Sequence, residues 1–238
     1  MRTKEFGESD LLVFFFTPDQ GQLKGVAKGG RRSRKRFANS LDILSLVRLE
    51  YEVRRGGSLP LLHSGRLING FSGIRSDYTL LSLASYMIEL TEVLFPIGVV
   101  DERAFDLLKG ALCALDGREK DVRAITVAFE ARALSLGGYR INLERCSVCG
   151  RKYTGQGPAV FSRDKGGIAC MRCRSPSENV PVVNPAALKV LHMIQSGSWD
   201  FSGDLHIPEA AVREIRPVLR LHRDFRIGRP LKTAKHVD

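Results

Sequence analysis

Two cysteine pairs carry the clearest chemistry in this chain: Cys146-Ser-Val-Cys149 and, twenty residues on, Cys170-Met-Arg-Cys173. Paired CxxC at this distance is the spacing of a structural zinc site. Four thiolates fill a tetrahedral zinc and leave no position open for water or substrate. Such a metal folds a small module and performs no reaction. Gly150 after the first pair, and Gly166-Gly167 before the second, suit the tight turns of zinc ribbons. Disulfides find no support in a secretory signal. No βαβ pattern surrounds either pair, which argues against a thioredoxin-like redox site. Cys113 lies in an apolar helical stretch and reads as a small buried residue rather than a nucleophile.

No second catalytic group accompanies the cysteines. His63, His192, His206, His222 and His236 are scattered, with no HExxH pattern and no GxxxxGK[ST] phosphate loop. What the chain has instead is positive charge, +11 overall in 238 residues. That balance suits a polyanionic partner. Residues 1–75 carry a net +7, residues 76–141 a net −3, residues 142–180 a net +4 and residues 181–238 a net +3. Four thiolates and one Zn²⁺ would lower the cysteine segment to about +2. Some of Arg145, Arg151, Lys152, Arg172 and Arg174 then balance the thiolates.

The densest basic run is Lys28-Gly-Gly-Arg31-Arg32-Ser-Arg34-Lys35-Arg36, six cations in nine residues with no acid. Its self-repulsion would be relieved by a phosphate backbone through counterion release. Gly29 and Gly30 would let that backbone come close. Lys24, Lys28, Arg31, Arg32, Arg34, Lys35 and Arg36 are the expected DNA-binding residues, and Phe37 is expected in the core. A second set, Arg213, Arg216, Arg220 and Arg223, recurs within about an 80° arc of one helix face. It is a possible secondary DNA surface. Ala211, Ile215, Val218, His222 and Phe225 fall opposite. Pro217 is expected to bend or break that helix.

The elements that must position these groups follow from periodicity. Residues 1–75 read as short strands: Leu11–Phe16, Gln22–Ala27, Leu44–Val53, Leu59–Leu62 and Gly65–Phe71, with a turn at Gly56-Gly57. Five short strands between Gly/Pro turns suggest a small barrel. Residues 76–141 read as helices, the first capped by Ser76 or Asp77, the next by Asp101, the third ending at Gly137-Gly138. The cysteine module spans 142–180. Residues 181–238 return to helix, opening at Asn184-Pro185 and again at Pro208. No apolar run approaches the roughly 18–20 residues needed to span a bilayer. The N-terminus lacks the apolar stretch of a signal peptide. A reduced cytosolic setting fits both.

The ordered set of residues resembles the RecO family of bacterial recombination mediators. Phe6-Gly7-Glu8-Ser9-Asp10 before an apolar strand and Thr17 is similar to the family's opening. Gly25-Val-Ala-Lys28-Gly29-Gly30-Arg31 resembles its glycine-basic segment, followed by Ser40-Leu41. Leu94-Phe95 and Ala104-Phe105-Asp106-Leu107-Leu108 resemble its helical middle. The two CxxC pairs with Phe161-Ser162 and Gly166-Gly167 resemble its zinc module. The resemblance implies an α+β fold: an N-terminal OB-fold β-barrel, then an α-helical domain with an inserted four-cysteine zinc module. It implies a bacterial, cytoplasmic, nucleoid-associated protein with structural Zn²⁺ and no enzymatic turnover. The implied protein binds single- and double-stranded DNA and anneals complementary strands. With RecR it helps load RecA on strands coated by single-strand-binding protein. Family members usually have a strand's worth of residues before the segment matching Lys4–Glu8. The expectation here is a shortened first strand and an open barrel edge. Two other readings stand beside this one: an RNA-binding OB/zinc-ribbon protein of the translation machinery, and a zinc-dependent hydrolase acting on nucleic acid.

Overall fold

The computed structural model describes residues 2–53, 59–117, 121–174, 180–197, 201 and 206–236. The turn expected at Gly56-Gly57 lies outside them. The first strands are β1 (Arg2–Phe6), β2 (Asp10–Thr17), β3 (Gly21–Ala27), β4 (Leu46–Glu52) and β5 (Leu61–Asn69), in the spatial order β1-β2-β3-β5-β4. All neighbours are antiparallel except β3 and β5, which run parallel through Val26↔Leu61 and Ala27↔Leu62. The two short strands read at 59–62 and 65–71 are one strand, β5. Pairing with β4 carries it through Ser64 and Gly65, and the mismatch is absorbed as two register shifts. The strand expected from Leu44 starts at Leu46, because Leu44 turns the chain with φ 58°.

Alternation on β2 sends Val13 and Phe15 to one face, where they pack with Ala27, Phe37 and Leu62. Phe15 meets Tyr51 of β4 edge-on, ring centres 5.4 Å apart. β2 and β4 are not sheet neighbours, so this contact requires the sheet to curl around its own core. The strand order and the curl are those of an OB-like sheet. β1 pairs with β2 along its five residues, and among the described residues no pairing joins it to β4. On the other face of β2, Phe16 packs against Phe105 at 6.0 Å and seats the sheet on the helical body.

That body contains α1 (Ser72–Arg75), α2 (Tyr78–Leu94), α3 (Glu102–Gly117), α4 (Val122–Leu136), α5 (Pro185–Ser196) and α6 (Glu209–Ile227). Asp77 caps α2 by accepting from the Thr79 and Leu80 N–H groups at 2.9 and 3.2 Å. Asp101 accepts from the Arg103 N–H at 2.9 Å ahead of α3. The central helix is α4, buried on nearly every side from Ala124 to Leu134. Asn184 precedes α5, but its side chain is drawn to Glu214 of α6, to which it donates at 2.8 Å.

One local expectation fails and another is narrowed. Cys113 is exposed, because the buried stripe of α3 is Leu108, Ala111, Leu112 and Leu115, and Cys113 falls off it. Pro217 does not break α6, which runs unbroken past it. Pro217 and Arg213 are both exposed, so the hydrogen bond that the proline removes lies on the solvent side of the helix.

The cysteine module is a sheet of β6 (Ala159–Ser162), β7 (Gly167–Cys170) and β8 (Val182–Val183), ordered β7-β6-β8 and antiparallel. Its two faces divide by residue parity. Ala159, Phe161 and Ile168 join the helical core, while Val160 and Ala169 pack with Cys146. The strands therefore anchor the cysteine loops to the helices.

Candidate metal centre and nucleic-acid interface

The Sγ atoms of Cys146, Cys149, Cys170 and Cys173 all lie within 4.8 Å of one another, with Cys149 and Cys170 3.9 Å apart. Thiolates bound at about 2.3 Å around a tetrahedral ion sit roughly 3.8 Å apart, so the quartet has the dimensions of a metal centre. The Gly150 N–H donates to the Cys146 carbonyl at 2.9 Å and closes the first turn. Two N–H groups, from Cys149 at 3.5 Å and Cys170 at 3.3 Å, point at the Cys146 sulfur. Burial pushes the Cys146 thiol up, but the N–H groups of Cys149, Cys170 and Val148 outweigh it and bring it down to about 6. Hydrogen bonding with the Cys170 and Cys149 thiols, the leading cause, pushes Cys173 up to about 12. Four thiolates this close repel one another, and a bound dication removes that cost. Arg151, Lys152 and Arg172 line the hollow beside Cys146 and Cys170.

The basic run leaves the end of β3 and forms a short 3-10 turn at Gly30–Arg32. The β1–β2 turn grips it. Asp10 accepts from the Gly29 N–H at 2.8 Å, and Ser9 O accepts from the Arg31 N–H at 3.1 Å. Gly29 holds φ 64°, a conformation that side chains resist. Lys28, Arg31, Arg32, Arg34, Lys35 and Arg36 are all exposed on this segment, and Phe37 beneath them is buried. Arg31 meets Glu5 at 3.0 Å, an exposed pair of the kind worth little in water. Lys24 stands apart from the run, on the face of β3. The register places Arg2, Phe14 and Lys24 side by side across three strands, with both cations over the half-buried Phe14 ring at 4.6 and 5.6 Å. Arg2 and Phe14 escape sequence reasoning because only strand pairing brings them beside Lys24.

The α6 arginines do not form one surface. Arg213 and Arg220 are exposed and Arg216 is half-buried. Arg223 is 1% exposed and belongs to the core, not to a DNA surface. Val212, Leu219 and Arg223, spaced by seven and four, lie along one buried line of the helix. Arg223 donates to the Tyr86 hydroxyl at 3.1 Å and pairs with Glu130 at 3.4 Å. Phe225, expected inside, is 43% exposed.

A curled OB-like sheet with a basic rim, mounted on a helical body that carries a four-cysteine module, defines a class of two-part α+β proteins. Two family models match: "Recombination protein O N terminal" over residues 1–71 and "Recombination protein O C terminal" over residues 75–235. The chain belongs to the RecO family, whose members are recombination mediators and not enzymes. It is 32% identical to the DNA repair protein RecO of Desulfatibacillum aliphaticivorans, over 99% of this chain and 92% of that one. It is likewise 32% identical to that of Anaeromyxobacter dehalogenans strain 2CP-C, over 100% and 93%. The RecO of Syntrophobacter fumaroxidans is 36% identical over 71% of this chain and 67% of its own. Among the described residues no helix is long and apolar enough to cross a membrane.

Proposed function

We propose that this protein is a recombination mediator that binds single- and double-stranded DNA through the segment Lys28–Arg36 together with Lys24. It anneals complementary strands, and with RecR it helps load RecA on strands coated by single-strand-binding protein, in the bacterial cytoplasm at the nucleoid. The observation that carries this reading is the exposure of six cations on a segment pinned to the rim of the sheet. Annealing needs charge rather than chemistry: two strands repel, and a cationic rim that contacts both lowers the barrier. The cysteine quartet holds a structural Zn²⁺, which suits four soft thiolate donors. Its role is to fix the module against the helices.

The test is binding of labelled single-stranded and duplex DNA across a salt series. Arg31→Glu, Arg32→Glu and Arg34→Glu together should weaken binding strongly. They should also flatten the duplex salt dependence by about two to three units of log–log slope. Unchanged affinity and slope reject the assignment. An annealing assay on coated complementary strands, with and without RecR, tests the mediator role itself.

A further inference from the structure

Phe225 sits near the end of α6, on a helix whose neighbouring apolar residues Ile215, Val218 and Leu219 are at most 2% exposed. It is left at the surface, and two guanidinium groups attend it. The Cζ atoms of Arg163 and Arg226 each lie 5.3 Å from the centre of its ring. Arg163 comes from the turn between β6 and β7, so the arrangement joins two elements far apart in sequence. Each cation has a partner in the β6–β7 turn. Arg163 donates to the Asp164 carboxylate at 3.2 Å, and Arg226 donates to the Asp164 carbonyl at 3.3 Å. Gly166 holds φ 64°, and a Cβ there would collide with the Arg226 guanidinium. The bare Cα of Gly166 therefore faces the Arg226 guanidinium. Lys165 and Arg229, both exposed, add positive charge two residues after Arg163 and four after Phe225, against the acids Asp164 and Asp224.

We propose that Phe225, Arg163 and Arg226 form a stacking platform for an unpaired base of single-stranded DNA, with Lys165 and Arg229 meeting the flanking phosphates. The proposal rests on the reading that the protein binds DNA, and adds a contact separate from the segment after β3. The exposed part of the Phe225 ring and the guanidinium groups over it offer a base π contacts that need no particular sequence. A duplex keeps its bases stacked inside and cannot use such a platform without disruption. The basic segment recognises charge, common to both forms of DNA. The platform recognises an exposed base, so it favours the strand that has yet to pair.

The test uses the full chain and fluorescence anisotropy with oligo-dT, an abasic strand of the same length and a duplex. Phe225→Ala should weaken oligo-dT binding by about tenfold and change duplex and abasic-strand binding by less than about twofold. Phe225→Tyr keeps the ring and should restore oligo-dT affinity. Irradiation of 5-iododeoxyuridine DNA should crosslink the peptide containing Phe225. Wild-type affinity of Phe225→Ala for oligo-dT, or an equal loss on all three ligands, overturns the platform. The triple variant at Arg31, Arg32 and Arg34 separates the two claims. If it loses DNA while Phe225→Ala does not, the platform fails and the DNA reading stands. If both variants bind as wild type, the DNA reading fails with it.

Discussion

Arg223 and Glu130 form an ion pair inside the helical body, Nη1 to Oε1 3.4 Å, with side chains 1% and 5% exposed. The pair links α6 to α4, and Tyr86 of α2 accepts from the same Nη1 at 3.1 Å. Burial disfavours the charge on Arg223, but Glu130 and Tyr86 outweigh it and hold its pKa above the ordinary arginine value. For Tyr86, burial first and Glu130 second keep the phenol protonated well above its usual range. Arg223→Leu removes the guanidinium paired with the buried Glu130 carboxylate, and the expected cost is about 3–5 kcal/mol of stability. Arg223→Leu combined with Glu130→Gln should recover much of it, as a double-mutant cycle in urea would measure. DNA affinity of the folded fraction should be unchanged, which separates Arg223 from the arginines of the surface.

How much of this was legible in the sequence depends on how local each cause is. The cysteine quartet and the caps Asp77 and Asp101 could be read because ligand spacing and capping are settled within a few residues. The single strand β5 could not, since Gly65 looks like a break until β4 supplies the ladder across it. Arg223 reads as part of a surface stripe because nothing near it announces Glu130, 93 residues away. Phe225 reads as core because its apolar character is visible while the reach of the core is not. Arg2 and Phe14 become neighbours of Lys24 only through register.

Asp10 is a positioning residue for the basic segment. Its carboxylate holds the Gly29 N–H at 2.8 Å and with it the left-handed turn that launches Arg31 and Arg32. Asp10→Ala removes the anchor but no cation. It should reduce stability by about 1 kcal/mol and weaken DNA binding severalfold with an unaltered salt slope. Gly29→Ala should act in the same direction, since its φ of 64° strains any side chain. A salt slope reduced as in the arginine variants would show that Asp10 acts through charge instead.

The metal centre predicts about one zinc per chain in protein purified without added metal. Cys170→Ser should lose it, by atomic absorption. Phe161 and Ile168 hold β6 and β7 in the helical core through a cluster that includes none of the four cysteines. Chelation should therefore loosen the cysteine loops without unfolding the protein. Limited trypsin digestion should then cut at Arg151, Lys152 and Arg172 well before the helices. Global loss of helical circular dichroism on chelation would contradict this division of labour.

His222 gives the fold a pH dependence with a definite sign. Its ring is buried edge-on against Phe161, ring centres 5.8 Å apart, and its Nε2 lies 2.7 Å from the Tyr139 carbonyl, which can only accept. Burial lowers its pKa below the ordinary 6.5; the Tyr139 carbonyl opposes this, and Arg226 adds to it. The unfolded chain therefore binds a proton here more readily than the folded one. Stability from this group is present above about pH 6.5 and is lost as the pH falls through the lowered folded value. His222→Gln places an amide N–H toward Tyr139 and removes the titration. The difference in unfolding free energy between wild type and this variant should shift against wild type below pH 6.5 and stay level above it. A difference that is flat across the whole range would mean that His222 takes up a proton as readily folded as unfolded.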